Sequence, residues 1–354
     1  MSELPKNRKV TRADVARYSG VSTAVVSYVL NNGPKPVAPL TRERVLEAVR
    51  VLGYRPNAAA RALSTGSADM IGMIVVDSRN PFFAQLCHAL DRATVRRDRS
   101  LLIANSDREH VAAADQIHDL AARQIGGLII ADVLTAVEQA IIESLDIPVV
   151  LINQYTGASK TPAIGVDFRA GAKSAVEHLI EHGYRDIAFV GSALAIDRRE
   201  RGWSDALSEA GLPLGPRLHA PFSYAGGYEA GLALAESERR PRAVFAASDQ
   251  IAVGLLAALH RAGLRVPDDI AVVSFDGTME SAYTWPPLTT VAQPIAAMAD
   301  EAIRQLVTGV LTPGLTTFPT ELVVRESCGC AAGVSGVGAG LVEVDSTSHL
   351  DLSL

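Results

Sequence analysis

Thr23, Ala24, Ser27 and Tyr28 lie on the side of a short helical pattern turned away from Val26, Val29 and Leu30. Side chains of these types near the amino end of a helix suit the base edges and backbone of DNA. Thr23 offers a hydroxyl. Ala24 offers only a methyl, whose natural partner is a thymine methyl. Tyr28 brings one hydroxyl and a flat ring, with packing on its own domain as the competing use. Catalytic chemistry is thin: no Walker loop, no Gly-x-Gly-x-x-Gly after a strand, no Gly-x-Ser-x-Gly elbow and no His-Glu-x-x-His is present. His178 and His182 stand four apart on one helical stretch, a spacing that can hold metal but more often marks a helix-surface pair. Cys328-Gly329-Cys330 offers two ligands with no histidine near it in the sequence. No metal and no cofactor are therefore expected, and an enzyme is the weaker class of function.

The segment that positions the first group runs from Val10 to Asn32 and reads as two short helices around a Ser19-Gly20-Val21 turn. Thr11 is placed to cap the first helix, and Asp14 three residues on completes a capping-box-like pair. Ser22 caps the second, whose Val26, Val29 and Leu30 recur at i, i+3, i+4 against Val15, Ala16 and Val21. Gly20 falls where helices meeting at a steep angle need a left-handed residue. A third helix is expected from Thr41 to Gly53, with Val45, Val49 and Leu52 inward. The pattern fits a helix-turn-helix head, or a small helical bundle that touches no nucleic acid. Charge separates the two. Residues 1–66 hold 11 Lys and Arg against 4 Asp and Glu, a net of +7, so the other 288 carry −13 of the whole-chain −6. A basic head on an acidic body is what phosphate binding by one end of a protein requires.

The stretch DVARYSGVSTAVVSYVLN, followed at 41–63 by TRERVLEAVRVLGYRPNAAARAL, resembles the lactose/purine repressor (LacI/GalR) family of bacterial transcription regulators, and the likeness runs on to Cys328. The resemblance implies that Thr11, Ser22, Ser27 and Asn31 hold phosphates while Thr23 and Ala24 meet bases. Tyr28 departs from it, because most relatives carry an arginine there, so the usual half-site is not carried over. Residues 56–65, PNAAARALST, place Asn57 as a cap before three alanines. The segment is shorter than the ~12–15 residues an isolated helix needs, and is expected to become helical beside its dimer mate on DNA. By resemblance Leu63 is a wedge in the minor groove at the operator centre, with Ala60 against the groove floor; a plain linker is the alternative.

A chain of 354 residues, 48% hydrophobic and 20% charged, suggests a folded protein of two or three domains. No apolar run reaches the ~18–20 residues that span a bilayer, and MSELPKNRKV has no hydrophobic signal region. The cysteines Cys87, Cys328 and Cys330 cannot form a disulfide framework. A cytoplasmic protein with no membrane partner is expected. From residue 70 onward apolar strand candidates alternate with helices: 70–76, 101–105, 127–131 and 149–153, then 187–191, 243–248 and 270–276. Helical stretches include 81–97, 169–182, 199–210 and 249–262. Continuous Val/Ile-rich strands between helices argue for parallel sheets covered on both faces. The expected architecture is α/β: a helix-turn-helix domain at 1–55, a hinge helix at 56–66 and a two-subdomain sensor at 67–328. Its N-subdomain takes about 70–165 and 294–318, and its C-subdomain about 166–293 and 319–328. The sensor resembles periplasmic binding proteins. The Gly- and Ser-rich residues 329–354 read as a disordered tail without the leucine heptads that make some relatives tetramers.

Ligand belongs outside the carboxyl ends of the strands, between the subdomains. Resemblance puts Asn80 and Phe83 of DSRNPFF there, with one of Phe82 and Phe83 serving as plain core, and adds Asn153 at another strand end. Arg199-x-x-Gly202-Trp203 matches a stretch whose arginine grips ligand oxygens as a two-pronged donor. Phe222 matches an aromatic platform. Asp249 is a candidate that serves equally as a helix cap, and Asp276 in VVSFDG matches the ligand-binding aspartate. An arginine, acids, asparagines and flat rings suit a polyhydroxylated ligand, so a sugar is expected; a purine or another metabolite would use the same side chains. The reading is a homodimeric, DNA-binding transcriptional repressor on a near-palindromic double-stranded operator, controlled by a small effector. The alternative is a small-molecule-binding or sugar-processing protein whose DNA binding is incidental.

Overall fold

In a computed structural model, residues 10–30, 33, 35–54, 69–106, 113–154, 161–192 and 197–331 are described. The expected hinge helix, with Asn57, Ala60 and Leu63, lies outside them, as do Asn31 and residues 332–354. The chain divides into two units, Met1–Asp69 and Met70–Leu354.

The first unit is built on α1 (Arg12–Ser19), α2 (Thr23–Leu30) and α3 (Pro39–Leu52). Thr11 and Asp14 close a full capping box: the Thr11 hydroxyl accepts from the Asp14 amide at 3.4 Å, and the Asp14 carboxylate accepts from the Thr11 amide at 2.9 Å. Gly20 ends α1 at φ 67°, the left-handed value its position called for. The Ser22 hydroxyl accepts from the Val25 amide at 3.3 Å, capping α2. Val15, Ala16, Val26, Val29, Val45, Ala48 and Tyr54 form the core, with Val49 and Leu52 partly buried against it. The third helix starts at Pro39 rather than Thr41. A proline at the first helical position loses no hydrogen bond and already has the right φ, which sequence periodicity does not register.

The second unit holds two six-stranded sheets. Strands β1 (Met70–Val75), β2 (Ser100–Asn105), β3 (Leu128–Ala131), β4 (Val149–Gln154) and β5 (Ala163–Val166) build one. Strands β6 (Ile187–Gly191), β7 (Arg217–His219), β8 (Ala243–Ala246), β9 (Ala271–Asp276) and β10 (Thr289–Ala292) build the other. The chain then returns to give β11 (Leu315–Phe318) to the first sheet and β12 (Glu321–Val323) to the second. The orders are β11-β5-β4-β3-β1-β2 and β12-β10-β9-β8-β6-β7. Every pair is parallel except β10 with β12. Helices α4 (Pro81–Val95), α5 (Ala113–Ala122), α6 (Ala136–Glu143), α7 (Phe168–Glu181), α8 (Arg198–Glu209), α9 (Tyr224–Glu236), α10 (Asp249–Arg261) and α11 (Ile295–Thr308) cover both faces. Strands such as Leu128–Ala131 and Ala243–Ala246 are buried at every residue, which is why their sequences run apolar without alternation.

The chain crosses between sheets three times: after β5, between β10 and α11, and between β11 and β12. Two segments differ from expectation. The strand at 243–248 stops at Ala246, because the Ser248 hydroxyl accepts from the Ile251 amide and starts α10. The tail begins later than 329, since Gly329 and Cys330 pack on the folded body.

Candidate DNA-reading face, effector cleft and His-Cys cluster

On α2, Val26 and Val29 are buried while Ser22, Thr23 and Ala24 are exposed at its amino end, the position from which side chains reach base edges. Ser27 and Tyr28 are half-buried. A Cβ on Gly33 would lie 2.5 Å from the Tyr28 Cδ1, so the tyrosine ring packs over the chain that follows α2. Thr11 is exposed, yet its hydroxyl already donates to Asp14 at 2.6 Å, and a phosphate there competes with the capping box.

The carboxyl ends of the parallel strands carry the second constellation. Arg199 opens α8, where Asp197 caps the helix by accepting from the Arg199 amide at 3.0 Å and from its Nε at 3.2 Å. The guanidinium carbon sits 5.2 Å from the Phe168 ring centroid, 4.8 Å from Phe222 and 5.6 Å from Phe275. Three aromatic faces around one cation hold it by cation–π attraction and leave it partly open to solvent. Gly202 lets α8 approach α7, because a Cβ there would meet the Arg169 carbonyl at 2.2 Å. Trp203 is fully buried and donates to the Ile187 carbonyl at 3.0 Å, fixing the helix on its sheet.

Asp276 ends β9 at φ 117°, and Asn153, near the end of β4, has φ 60°. Neither residue adopts such values without cost, and strained backbone gathers where a fold holds a site. Burial pushes the Asp276 carboxyl up to about 8, against the pull of the Arg199 charge. Gln293 donates to Asp276 at 3.0 Å. Several buried side-chain atoms have no hydrogen-bond partner: Asn153 Oδ1, Asp197 Oδ2, Gln293 Oε1 and Gln250 Oε1. Each such group costs about 1–3 kcal/mol. Asn153 is the next-to-last residue of β4, and Asp197 and Gln293 follow the carboxyl ends of β6 and β10, where a polar ligand would satisfy them. Gln85 of α4 donates to Glu280 at 3.4 Å, a polar contact between the subdomains.

Other expected residues divide. Asn80 caps α4, its side-chain oxygen accepting from the Phe82 amide at 2.9 Å. Phe82 is core and Phe83 is only partly buried, so Phe83 is the one available to a ligand. Asp249 belongs elsewhere. Ser248 is the cap of α10, and the buried Asp249 carboxylate accepts from Ser274 at 2.5 Å, Thr290 at 2.6 Å and the Thr278 amide at 2.6 Å. With its acceptors committed inside the fold, Asp249 braces α10, β9 and β10 behind Asp276. Phe168, Asp197, Gln293 and the ring of Phe275 were not singled out in the sequence. Asp167-Phe168 directly follows a strand, a signal that could have found Phe168.

A third cluster joins residues that the sequence keeps 148–152 positions apart. His178 Nε2 lies 3.3 Å from Cys328 Sγ and 3.7 Å from Cys330 Sγ, and His182 Nε2 lies 3.1 Å from Cys330 Sγ. The four potential ligand atoms fall within 4.8 Å of one another. Burial raises the Cys328 thiol, but its hydrogen bonds with His178, Thr289 and Cys330 outweigh that and bring it down to about 7. The same bond to Cys328 raises His178. Burial and the neighbouring Cys328 push Cys330 up to about 11.

A helix-turn-helix unit whose second helix exposes its amino end, followed by two mainly parallel α/β sheets with polar, strained residues at their carboxyl ends, defines a DNA-binding regulator with a ligand-sensing body. Residues 11–57 match the bacterial regulatory proteins of the lacI family, and residues 176–328 match a periplasmic binding protein-like domain. The chain is 33% identical over 304 residues to catabolite control protein A of Priestia megaterium, covering 84% of this chain and 91% of that protein. It is 31% identical over 329 residues to the HTH-type transcriptional repressor PurR of Histophilus somni, covering 90% and 98%. The crystal structure of the lac repressor dimer bound to operator and the anti-inducer ONPF superposes with a TM-score of 0.81 at 27% identity, covering 91% of this chain and 99% of that one. The chain belongs to the lacI family of bacterial regulatory proteins. It is a DNA-binding transcriptional repressor with an effector-binding sensor domain, and not an enzyme. Among the described residues no helix is long and apolar enough to cross a membrane.

Proposed function

We propose that the repressor is a cytoplasmic homodimer whose effector is a sugar, held by Arg199, Asp276, Asn153, Asn80, Phe83 and Phe222. The carrying observation is the Arg199 site: a guanidinium packed among Phe168, Phe222 and Phe275, beside a buried carboxyl and unpartnered amide and carboxylate oxygens. Hydroxyl groups both donate and accept, so a polyol can satisfy that mixture while an apolar sugar face stacks on a ring. Asp197 and Gln293 join the set, and Asp249 leaves it. Thermal-shift screening of a panel of sugars and purines tests the class. A sugar should raise Tm in the wild type, and Arg199→Ala should weaken its binding roughly ten- to a hundredfold, as loss of a charge-assisted hydrogen bond does. A shift given only by a purine, or equal shifts in both proteins, overturns the sugar or the residue.

At the other end, Thr23 and Ala24 read bases and Ser22, Ser27 and Thr11 hold phosphates. Asn31, Asn57, Ala60 and Leu63 enter this proposal through the family resemblance alone. Tyr28 offers its hydroxyl while its ring stays against Gly33. Two heads on a near-palindromic operator need two chains. For the shared face we favour the surface around Trp285 and Tyr283, 89% and 76% exposed, beside a groove of about 560 Å³ that Tyr224, Leu256 and Met279 also line. Large apolar side chains left this open mark an association surface.

A further inference from the structure

We propose that His178, His182, Cys328 and Cys330 form a four-coordinate site for a thiophilic d10 cation, Zn²⁺ being the occupant. The two halves arrive from different parts of the chain. Helix α7 buries Ala172, Ala175, Val176 and Leu179 in the body. That register leaves His178 in the last turn and His182 at the carboxyl cap, one turn apart on the same face, with ring centroids at 4.7 Å. The carboxyl end of a helix also carries the negative end of its dipole, which favours a cation.

The other half is pinned from the opposite side. The Ser327 hydroxyl donates to the Val272 carbonyl at 2.6 Å and accepts from the Thr289 amide at 2.8 Å, fixing this stretch of chain onto β9 and β10. Cys328, next along, is fully buried, with Thr289 Oγ1 3.2 Å from its sulfur. Gly329 takes φ 103°, and a Cβ there would sit 3.2 Å from the Tyr184 hydroxyl. That left-handed step turns Cys330 back toward the same two imidazoles.

The distances suit the ion. With Zn–S near 2.3 Å and Zn–N near 2.0–2.1 Å, ligand atoms of a tetrahedral site stand roughly 3.3–3.8 Å apart. Three His–Cys contacts, at 3.1, 3.3 and 3.7 Å, fall on or beside that range, and all four ligand atoms lie within 4.8 Å of one another, so a bound ion needs only a small inward shift of the remaining pairs. Two thiols and two imidazoles, with no carboxylate or carbonyl among them, select against Mg²⁺ and Ca²⁺. Four protein ligands leave no open position, so the ion would be structural, stapling residues 328–330 to α7. Exposed His182 gives it a way in. The cluster is separate from the effector cleft. It touches the amino ends of β9 and β10, through Val272 and Thr289, whereas Asp276 and Gln293 lie at their carboxyl ends, roughly 13 Å away along the strands.

The test uses the full chain, purified, stripped with a chelator under reducing conditions and titrated with Co²⁺ and then Zn²⁺. One equivalent of Co²⁺ should give intense tetrahedral ligand-field bands and thiolate-to-cobalt charge transfer, both bleached by one equivalent of Zn²⁺. Zn²⁺ should raise Tm and protect two of the three thiols from a disulfide reagent. His182→Ala and Cys330→Ser, both outside the buried core, should each weaken Co²⁺ binding more than 100-fold, beyond the roughly 10–100-fold that losing an outer partner costs. Cys87→Ser, remote from the cluster, should bind as the wild type does. Weak octahedral spectra, Cys330→Ser and His182→Ala proteins that bind like the wild type, or a Cys328–Cys330 disulfide with no metal uptake after reduction would overturn the proposal.

Discussion

Asp276 is held by two opposed forces, burial that favours its neutral form and the Arg199 charge that favours its ionised one, and burial wins. Its folded-state pKa of about 8 lies above that of an unfolded aspartate, near 3.9. The folded chain therefore holds this proton more tightly than the unfolded one. The stability it contributes is complete below about pH 4 and is lost as pH rises toward 8. Asp276→Asn removes the titration, so the Tm difference, variant minus wild type, should grow as pH goes from 5 to 8. A difference that stays flat would mean the carboxyl ionises as freely as in water. The matching sequence motif put forward Asp276 and Arg199, and the structure sets one at the end of β9 and the other in the first turn of α8, packed among three aromatic rings. It did not distinguish Asp249, an equally acidic residue at an equally suggestive place. Only the partners Ser274, Thr290 and Thr278, brought in from β9, β10 and the chain after β9, show that its oxygens are taken.

Elements were legible where their own residues determine them. The capping box at Thr11 and Asp14, the left-handed Gly20 and the strands 187–191 and 271–276 follow from short-range chemistry and unbroken apolar runs. The short strands β7, β11 and β12 did not stand out, since three or four residues at a sheet edge are specified by the partner strand more than by their own sequence. The His-Cys cluster shows the same limit from the other side. Each half was visible, but the contact that unites them depends on α7 and residues 327–330 meeting at the amino ends of β9 and β10. Helix packing supplies a prediction at this scale. Gly202 sits where α8 crosses α7 so closely that a methyl group would enter the Arg169 carbonyl. Gly202→Ala should cost about 1–3 kcal/mol by overpacking, at roughly 2–4 °C of Tm per kcal/mol. Because α8 carries Arg199, effector response should weaken along with stability. An unchanged Tm would show that the two helices part without cost.

For the whole molecule, charge and exposed apolar surface divide the work. The first 66 residues bring +7 and the remainder −13, so the body repels the phosphates that the head attracts. One small head has few contacts with which to overcome that repulsion, and joining two heads turns the second contact into an intramolecular event. Trp285→Asp places a charge in the proposed shared face and should leave a folded monomer by sedimentation, with its effector-induced Tm shift intact. Operator affinity should fall by roughly 10²–10⁴, the range that linked binding confers. The salt dependence gives an independent reading. Each phosphate neutralised contributes about −0.9 to the slope of log K against log salt, so a monomer engaging one half-site should show about half the wild-type slope. A variant that remains dimeric would place the shared face elsewhere. A monomer with the wild-type slope would mean that a single head already makes all the phosphate contacts, and the two-headed operator would fall with it.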